Sequence, residues 1–324
     1  MRGPRRLNPV SATGEQRSGY LRAAARSLST SIFLLRIILP LSFAVGVLDW
    51  LGVLRQIGAV FEPLMQIWRI PGEAAVVLVS GWLVGIYGAV AAMAVLPLTA
   101  DQITILAVLS LTAHNLVVES AVQDRTGTPW WQMILARLLT AALLAWIAAL
   151  ALARGDPSSP AAPTAAAVMS AHASLESFLL GWARSAGELI LKIVLILLGL
   201  MLLTEWMRRR DVYRRLARVL RPLLRFLGLA DSVAFLWITA AVLGLAYGSG
   251  LLMEEAKEPG RYRPDELRDL NVSIGVCHSL IEDSALLVAC GASLFWITVP
   301  RLLAAALAVR VVRILGRIHL TLRP

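Results

Sequence analysis

Lysine is almost missing from this sequence. Among its 324 residues only Lys192 and Lys257 are lysines, so nearly all of its 31 basic side chains are arginines. Neither lysine follows a glycine, which excludes a Walker A loop and the nucleotide-hydrolysing engine built on it. Cysteine is equally scarce. Cys277 and Cys290 stand alone inside apolar sequence, form no C-x-x-C pair and allow no disulfide framework; they read as small buried hydrophobes. Charged residues make up only 16% of the chain, against about 25% in an ordinary soluble domain. No H-E-x-x-H, G-x-S-x-G or G-x-G-x-x-G motif stands in a supporting context. The sequence therefore implies neither an enzyme nor a cofactor.

What is abundant is apolar sequence: 58% of residues are hydrophobic and mean hydropathy is +0.71. The excess falls in long blocks, which excludes an ordinary soluble fold. A membrane helix needs about 20 mostly apolar residues, and eight blocks qualify: 32–51, 74–96, 103–122, 131–153, 189–206, 233–253, 270–290 and 294–312. The net charge of +10 does not point to nucleic acid, because the arginines flank apolar blocks and are not interleaved with aromatics on a soluble surface. Residues 1–30 form a basic arm, and no A-x-A-like cleavage site closely follows the first block, so that block reads as a retained span.

The stretch Arg154-Gly155-Asp156-Pro157-Ser158-Ser159-Pro160 opens a linker by composition. On its two sides the chain repeats itself. Phe61-Glu62-Pro63-Leu64 is answered by Leu220-Arg221-Pro222-Leu223, and Gly85-Ile86-Tyr87-Gly88 by Leu245-Ala246-Tyr247-Gly248. In the third block of each half, the run from Thr112 to Ala121 is answered by the run from Val276 to Ala285. The offsets are 159, 160 and 164 residues, so only small gaps separate the copies. The boundaries that follow are a basic cytoplasmic arm (1–30), a first repeat (31–153), a linker (154–185), a second repeat (186–318) and a short tail (319–324).

Cytoplasmic loops collect Lys and Arg. The loop after the first span holds Arg55 and Arg69, whereas its counterpart holds a cluster of arginines from Arg208 to Arg225. Equivalent loops of such unequal charge belong on opposite sides of the membrane, which makes the repeats inverted and requires an odd number of crossings in each. The block interrupted by His and carboxylates, the third, is then expected to be re-entrant or broken. The expected fold is an all-α polytopic membrane protein with about six full spans and two re-entrant or broken helices. The acidic loop 254–269 is expected outside and the basic C-terminus inside. Eight plain spans in parallel halves are the rival, with the arginine cluster outside. Residues 208–227 also read as one interfacial amphipathic helix, with arginines on one face and Leu216, Val219, Leu220 and Leu223 on the other.

An ionisable group at the bilayer centre costs about 2.5–3.5 kcal/mol on insertion scales, so it usually faces a cavity or a partner. That singles out His114, Asn115 and Glu119 in the first repeat, and Asn271, His278, Ser279, Glu282 and Asp283 in the second. On a helix, Asn115 and Glu119 share a face, and so do His278 and Glu282. Symmetry would bring the two sets together between the halves, to hold a polar solute or cation or to relay protons. Polar glue between helices is the competing role. Tyr87 and Tyr247 are secondary candidates as cavity-lining donors, and metal ligation stays open. A serine hydrolase would have to draw on Ser120 or Ser284, each six residues beyond its histidine.

These duplicated blocks resemble the Gate, or nucleoside-recognition-domain, family. That family includes segments of spore maturation proteins A and B and the membrane part of the ferrous-iron transport protein B. The resemblance rests on the glycine-rich span, the run His278-Ser279-Leu280-Ile281-Glu282-Asp283-Ser284 and its weaker echo from His114 to Ser120. It implies a permease-like protein of the bacterial inner membrane that moves a small polar solute, such as a nucleoside, or an ion. The alternative it allows is a non-transporting membrane assembly protein. The expected partners are the lipid bilayer, the solute, and a membrane partner protein or a second copy of the chain, with no nucleic acid.

Overall fold

The computed structural model describes residues 9–152, 174–210, 212–256, 258 and 260–321. Within its helices some side chains, that of Tyr247 among them, lie outside the described residues. Helices account for all the regular structure among the described residues. The chain is an all-α polytopic membrane protein.

The first half comprises α1 (Pro9–Trp50), α2 (Val53–Met65), α3 (Ala75–Val84), α4 (Ile86–Met93), α5 (Ala100–Ala113), α6 (Leu116–Arg125) and α7 (Trp130–Leu152). The second comprises α8 (Leu175–Arg209), α9 (Val212–Val219), α10 (Arg221–Leu227), α11 (Ala234–Glu255), α12 (Pro264–Val276), α13 (Glu282–Ala289) and α14 (Leu294–Thr321). Residues 19–30 are thus helical and continuous with the first span, not a separate arm, and α8 begins at Leu175, inside the stretch assigned to the linker. The segment 208–227 is two short helices, because the chain turns at Leu220 before Pro222 opens the next. Among the described residues five helices are long and apolar enough to cross a membrane, α1, α7, α8, α14 and the α5–α6 unit, and two further helix pairs, bent by 91° and 119°, would make seven if each were one span. Their outer faces carry exposed large apolar side chains such as Leu139 on α7 and Leu303 on α14, as a lipid-facing surface requires.

Side-chain contacts fix the running direction of each element. At one end of the molecule, Trp50 at the close of α1 stacks on Phe178 at the start of α8, with centroids 5.7 Å apart. At the other end, Arg209 lies over the Tyr20 ring at 5.3 Å. So α1 and α8 are antiparallel. Gly46 near the end of α1 lies against Val95, which puts the start of α5 at the Trp50 end. The loop after α13 returns there, where Ser293 N donates to Thr104 Oγ1 at 3.0 Å. Conversely, the loop after α6 meets α12 on the start side of its break, where Asn271 Nδ2 donates to Thr128 Oγ1 at 3.0 Å. That start lies at the Arg209 end, because Arg313 binds both Asp269 and the Gly228 carbonyl. The α5–α6 unit therefore runs from the Trp50 end to the Arg209 end, and α12–α13 runs the opposite way. The halves are inverted.

Of the two forms expected for the third block, re-entrant or broken, the structure shows the broken one. The block does not re-enter; each copy traverses the molecule as a helix broken at its histidine. The re-entrant element is the glycine-rich block. In the first half α4 folds back along α3: a Cβ on Gly81 would sit 3.3 Å from that of Ala89, and one on Gly88 would sit 2.7 Å from the Ser80 carbonyl. The tip is Gly85, whose φ of 99° and ψ of −171° suit only glycine. Gly244 repeats the device inside α11, with φ 75° and ψ 170°. Both ends of α11 lie at the Arg209 end. Each half then contributes three traversing elements and one hairpin. The acidic loop accordingly sits at the same end as the arginine-rich α9–α10 and the C-terminal helix, as the Arg313–Asp269 ion pair at 2.7 Å shows. The expectation that it lies opposite the basic C-terminus fails because α11 returns to its own side.

Candidate functional site

The α5–α6 unit is the most enclosed of the long apolar helices, with 72% of its apolar window buried against 28–39% for the others. A Thr99–Gln102 capping box starts α5. Helix α12 starts at Pro264, with Asp265 and Glu266 in its first turn. Each helix ends at matched positions. Asn115 adopts the left-handed conformation at φ 48° and Ser279 at φ 49°. The chain leaving each break is caught by the neighbouring hairpin: Asn115 N donates to the Gly81 carbonyl at 2.8 Å, and Ser279 N to the Ala240 carbonyl at 3.0 Å.

A helix that stops inside a membrane protein leaves carbonyls without partners, each costing several kcal/mol in lipid. Two fully buried arginines take them. Arg137 on α7 donates through Nε to the Thr112 carbonyl at 3.0 Å and through Nη2 to the His114 carbonyl at 2.6 Å. Arg301 on α14 donates through Nη2 to the Leu111 carbonyl at 3.0 Å and the His278 carbonyl at 3.1 Å. Sequence reasoning missed this pair. The available signal was the tripeptide Arg-Leu-Leu at 137–139 and 301–303, offset by the same 164 residues as the histidines.

The breaks bring the two histidine rings together, with centroids 5.0 Å apart and planes tilted by 43°. Each Nδ1 is tied to the carbonyl four residues back, His114 to Ser110 at 3.0 Å and His278 to Ile274 at 2.7 Å. Both Nε2 atoms therefore point inward, 3.4 Å from each other. Glu119 Oε1 lies 3.4 Å from each of them, and Asp283 Oδ2 lies 3.5 Å from His114 Nε2. The other oxygen of Glu119 pairs with Arg137 Nη2 at 2.9 Å. All four of these side chains are buried.

The remaining candidates lie elsewhere. Asn115 packs against the Gly85 tip, and the Ser279 hydroxyl accepts from Asp283 N at 3.3 Å, so both shape the breaks. The helical spacing argument fails for His278 and Glu282, because α12 stops before His278 and α13 starts at Glu282. Glu282 instead accepts from Tyr87 OH at 2.7 Å, joining the first hairpin to α13. The two line a recess with Ile193, Ile196 and Leu197 of α8, and a second recess lies a turn nearer the Trp50 end, beside Glu188, Lys192 and Cys290. The side chain of Tyr247 lies outside the described residues. Asn271 is two turns before His278 and is fully engaged: its amide donates to Thr126 Oγ1 and Thr128 Oγ1, while its carbonyl oxygen accepts from Thr126 Oγ1. It is a staple between the halves. Asn271→Ala should cost about 1–3 kcal/mol by removing the amide donor from the buried Thr128 hydroxyl and from the Thr126 carbonyl, while the Thr126 hydroxyl keeps the Gln123 carbonyl, read as a lower midpoint in denaturant unfolding; an unchanged midpoint would contradict the staple.

Residues 31–123 match the Gate family, described as nucleoside recognition. The resemblance seen in the sequence is borne out for that stretch. The Gate match runs from the apolar part of α1 to the last turn of α6, so it includes the first hairpin, His114 and Glu119 but stops short of Arg137. The whole chain is 26% identical over 291 residues to the uncharacterized membrane protein YvoD of Bacillus subtilis (strain 168), covering 89% of this chain and 92% of that protein. No solved structure matches the chain.

Proposed function

We propose that this multi-pass protein is a permease of the bacterial inner membrane that carries an ion through the central cluster, and that it is not an enzyme. The observation that carries this reading is the meeting of His114 and Glu119 from one repeat with His278 and Asp283 from the other, at the breaks of two oppositely running helices. Broken helices of inverted repeats, meeting near the bilayer midplane, are a recurrent transporter architecture. Acceptor atoms 3.4–3.5 Å apart suit a proton or a bare cation and leave no room between them for a base and a sugar. A hydrolytic role lacks its nucleophile: the buried hydroxyls of Ser120 and Ser284 have no hydrogen-bond partner among the described residues, so neither is activated by a histidine.

The arginine-rich α9–α10 end, which also holds the start of α1 and the end of α14, faces the cytoplasm on this reading, by the positive-inside rule. The test is flux in proteoliposomes loaded with a pH-sensitive or a metal-sensitive dye. Wild-type vesicles should carry flux well above empty ones. Glu119→Gln together with Asp283→Asn should bring it to the empty-vesicle baseline while the protein still elutes as a single species. Wild-type flux no greater than that of empty vesicles with either dye would return the chain to the assembly role.

A further inference from the structure

We infer that the cluster of His114, His278, Glu119 and Asp283 is a binding site for one divalent first-row transition cation of the zinc, cobalt or ferrous type. This deepens the permease reading by naming the class of ion and rests on that reading for the idea of a cargo, but binding itself can be tested separately.

The first argument is the accounting of donors. Both Nδ1 atoms are committed to backbone carbonyls, at 3.0 and 2.7 Å, so each neutral imidazole offers a lone pair at Nε2. Those lone pairs face each other and a Glu119 oxygen at 3.4 Å, with an Asp283 oxygen 3.5 Å from one of them. Two imidazole nitrogens and two carboxylates thus gather in one buried place, with both Nε2 atoms free of backbone partners and directed into it.

The second argument is spacing. Bonds of about 2.0–2.1 Å to donors at tetrahedral angles set neighbouring donors roughly 3.3–3.4 Å apart. His114, His278 and Glu119 meet this spacing pairwise at 3.4 Å, and Asp283 meets it to His114 at 3.5 Å; His114, His278 and Asp283 form the set whose ligand atoms all lie within 4.8 Å of one another, and Glu119 adjoins it through the two imidazoles. The third argument is support around the donors. Ligating histidines usually donate their other ring N–H to a carbonyl or carboxylate, and ligating carboxylates are themselves held by hydrogen bonds. Here each histidine has its carbonyl, and Glu119 has Arg137 at 2.9 Å. Imidazole nitrogen with carboxylate oxygen favours Zn²⁺, Co²⁺ or Fe²⁺ over the all-oxygen shells of Ca²⁺ and Mg²⁺.

The experiment is a Co²⁺ titration of the full chain in detergent, followed by visible absorption and equilibrium dialysis, with Zn²⁺ as competitor. One Co²⁺ per chain should bind and be displaced by Zn²⁺. His114→Asn and His278→Asn should each weaken binding by roughly 100-fold or more, beyond the 10–100-fold typical of losing an outer-shell partner. His172→Asn and His319→Asn, which remove the other two histidines of the sequence, should leave it unchanged. Absence of saturable binding, or binding lost only in the His172 or His319 variants, would overturn the inference. Should the central variants fail to fold, X-ray absorption of the Zn²⁺-loaded wild-type protein decides: two imidazoles in the first shell support the site, and a shell without imidazole ends it. Binding without flux would keep the metal site and end the permease reading. Proton flux without binding would do the reverse.

Discussion

Replacing Arg137 by methionine is expected to cost about 3–5 kcal/mol of stability, the range seen when one partner of a buried ion pair is removed. Two losses combine. Glu119 is left as a buried carboxylate without its 2.9 Å counter-ion, and the Thr112 and His114 carbonyls at the end of α5 lose their donor. Adding Glu119→Gln should recover part of the loss, because it removes the stranded charge but not the stranded carbonyls. Arg301→Met tests the separation. Arg301 meets only carbonyls among its described hydrogen bonds, so its removal should cost less, and Asp283→Asn should not rescue it. Midpoints of denaturant unfolding in detergent, compared as a double-mutant cycle, give the answer. Equal costs for the two arginines, or no rescue by Glu119→Gln, would show that the ion pair contributes nothing beyond helix capping.

The second large effect is expected at the hairpin tips. Gly85→Ala should cost about 1–3 kcal/mol, the strain of placing a side chain in a backbone region reserved for glycine. Crowding is not the cause, since the nearest atom to an added Cβ is 3.8 Å away. Gly244→Ala should behave alike, with its nearest neighbour at 3.4 Å. Gly199, in the middle of α8 with nothing within 4 Å, is the contrast: Gly199→Ala should stabilise by about 0.5–1 kcal/mol through helix propensity. Thermal unfolding of the three variants should therefore move in two directions. A neutral Gly85→Ala would show that the tip can relax into an ordinary helical bend.

Much of this was legible in the sequence because polar residues in apolar blocks are costly and therefore informative. The 164-residue offset paired His114 with His278 and Glu119 with Asp283, and the structure brings those four together. The unequal arginine content of the loops after each first span pointed to inversion. The crossing count also came from charge, and the third block, expected re-entrant or broken, is broken, while the turn-back of the glycine-rich block was not foreseen. Hydropathy cannot distinguish a hairpin of two short apolar helices from one long span. The distinction at 75–93 rests on the φ of Gly85 and on Gly81 and Gly88, which let α4 lie against α3. Asn271 and Glu282 were grouped with the central residues on polarity alone; the threonines and the tyrosine that engage them are distant in sequence, at separations of 143–195 residues. The arginine pair was overlooked because a charge within an apolar block was sought among acids and imidazoles.

The repeat is not perfectly even at its heart. Arg137 grips the carboxylate of its own half, whereas its counterpart Arg301 rests on backbone oxygens. Two halves built alike and mounted head to tail thus hold their acids differently: one carboxylate is neutralised by its own arginine, and the other leans on a histidine of the opposite half.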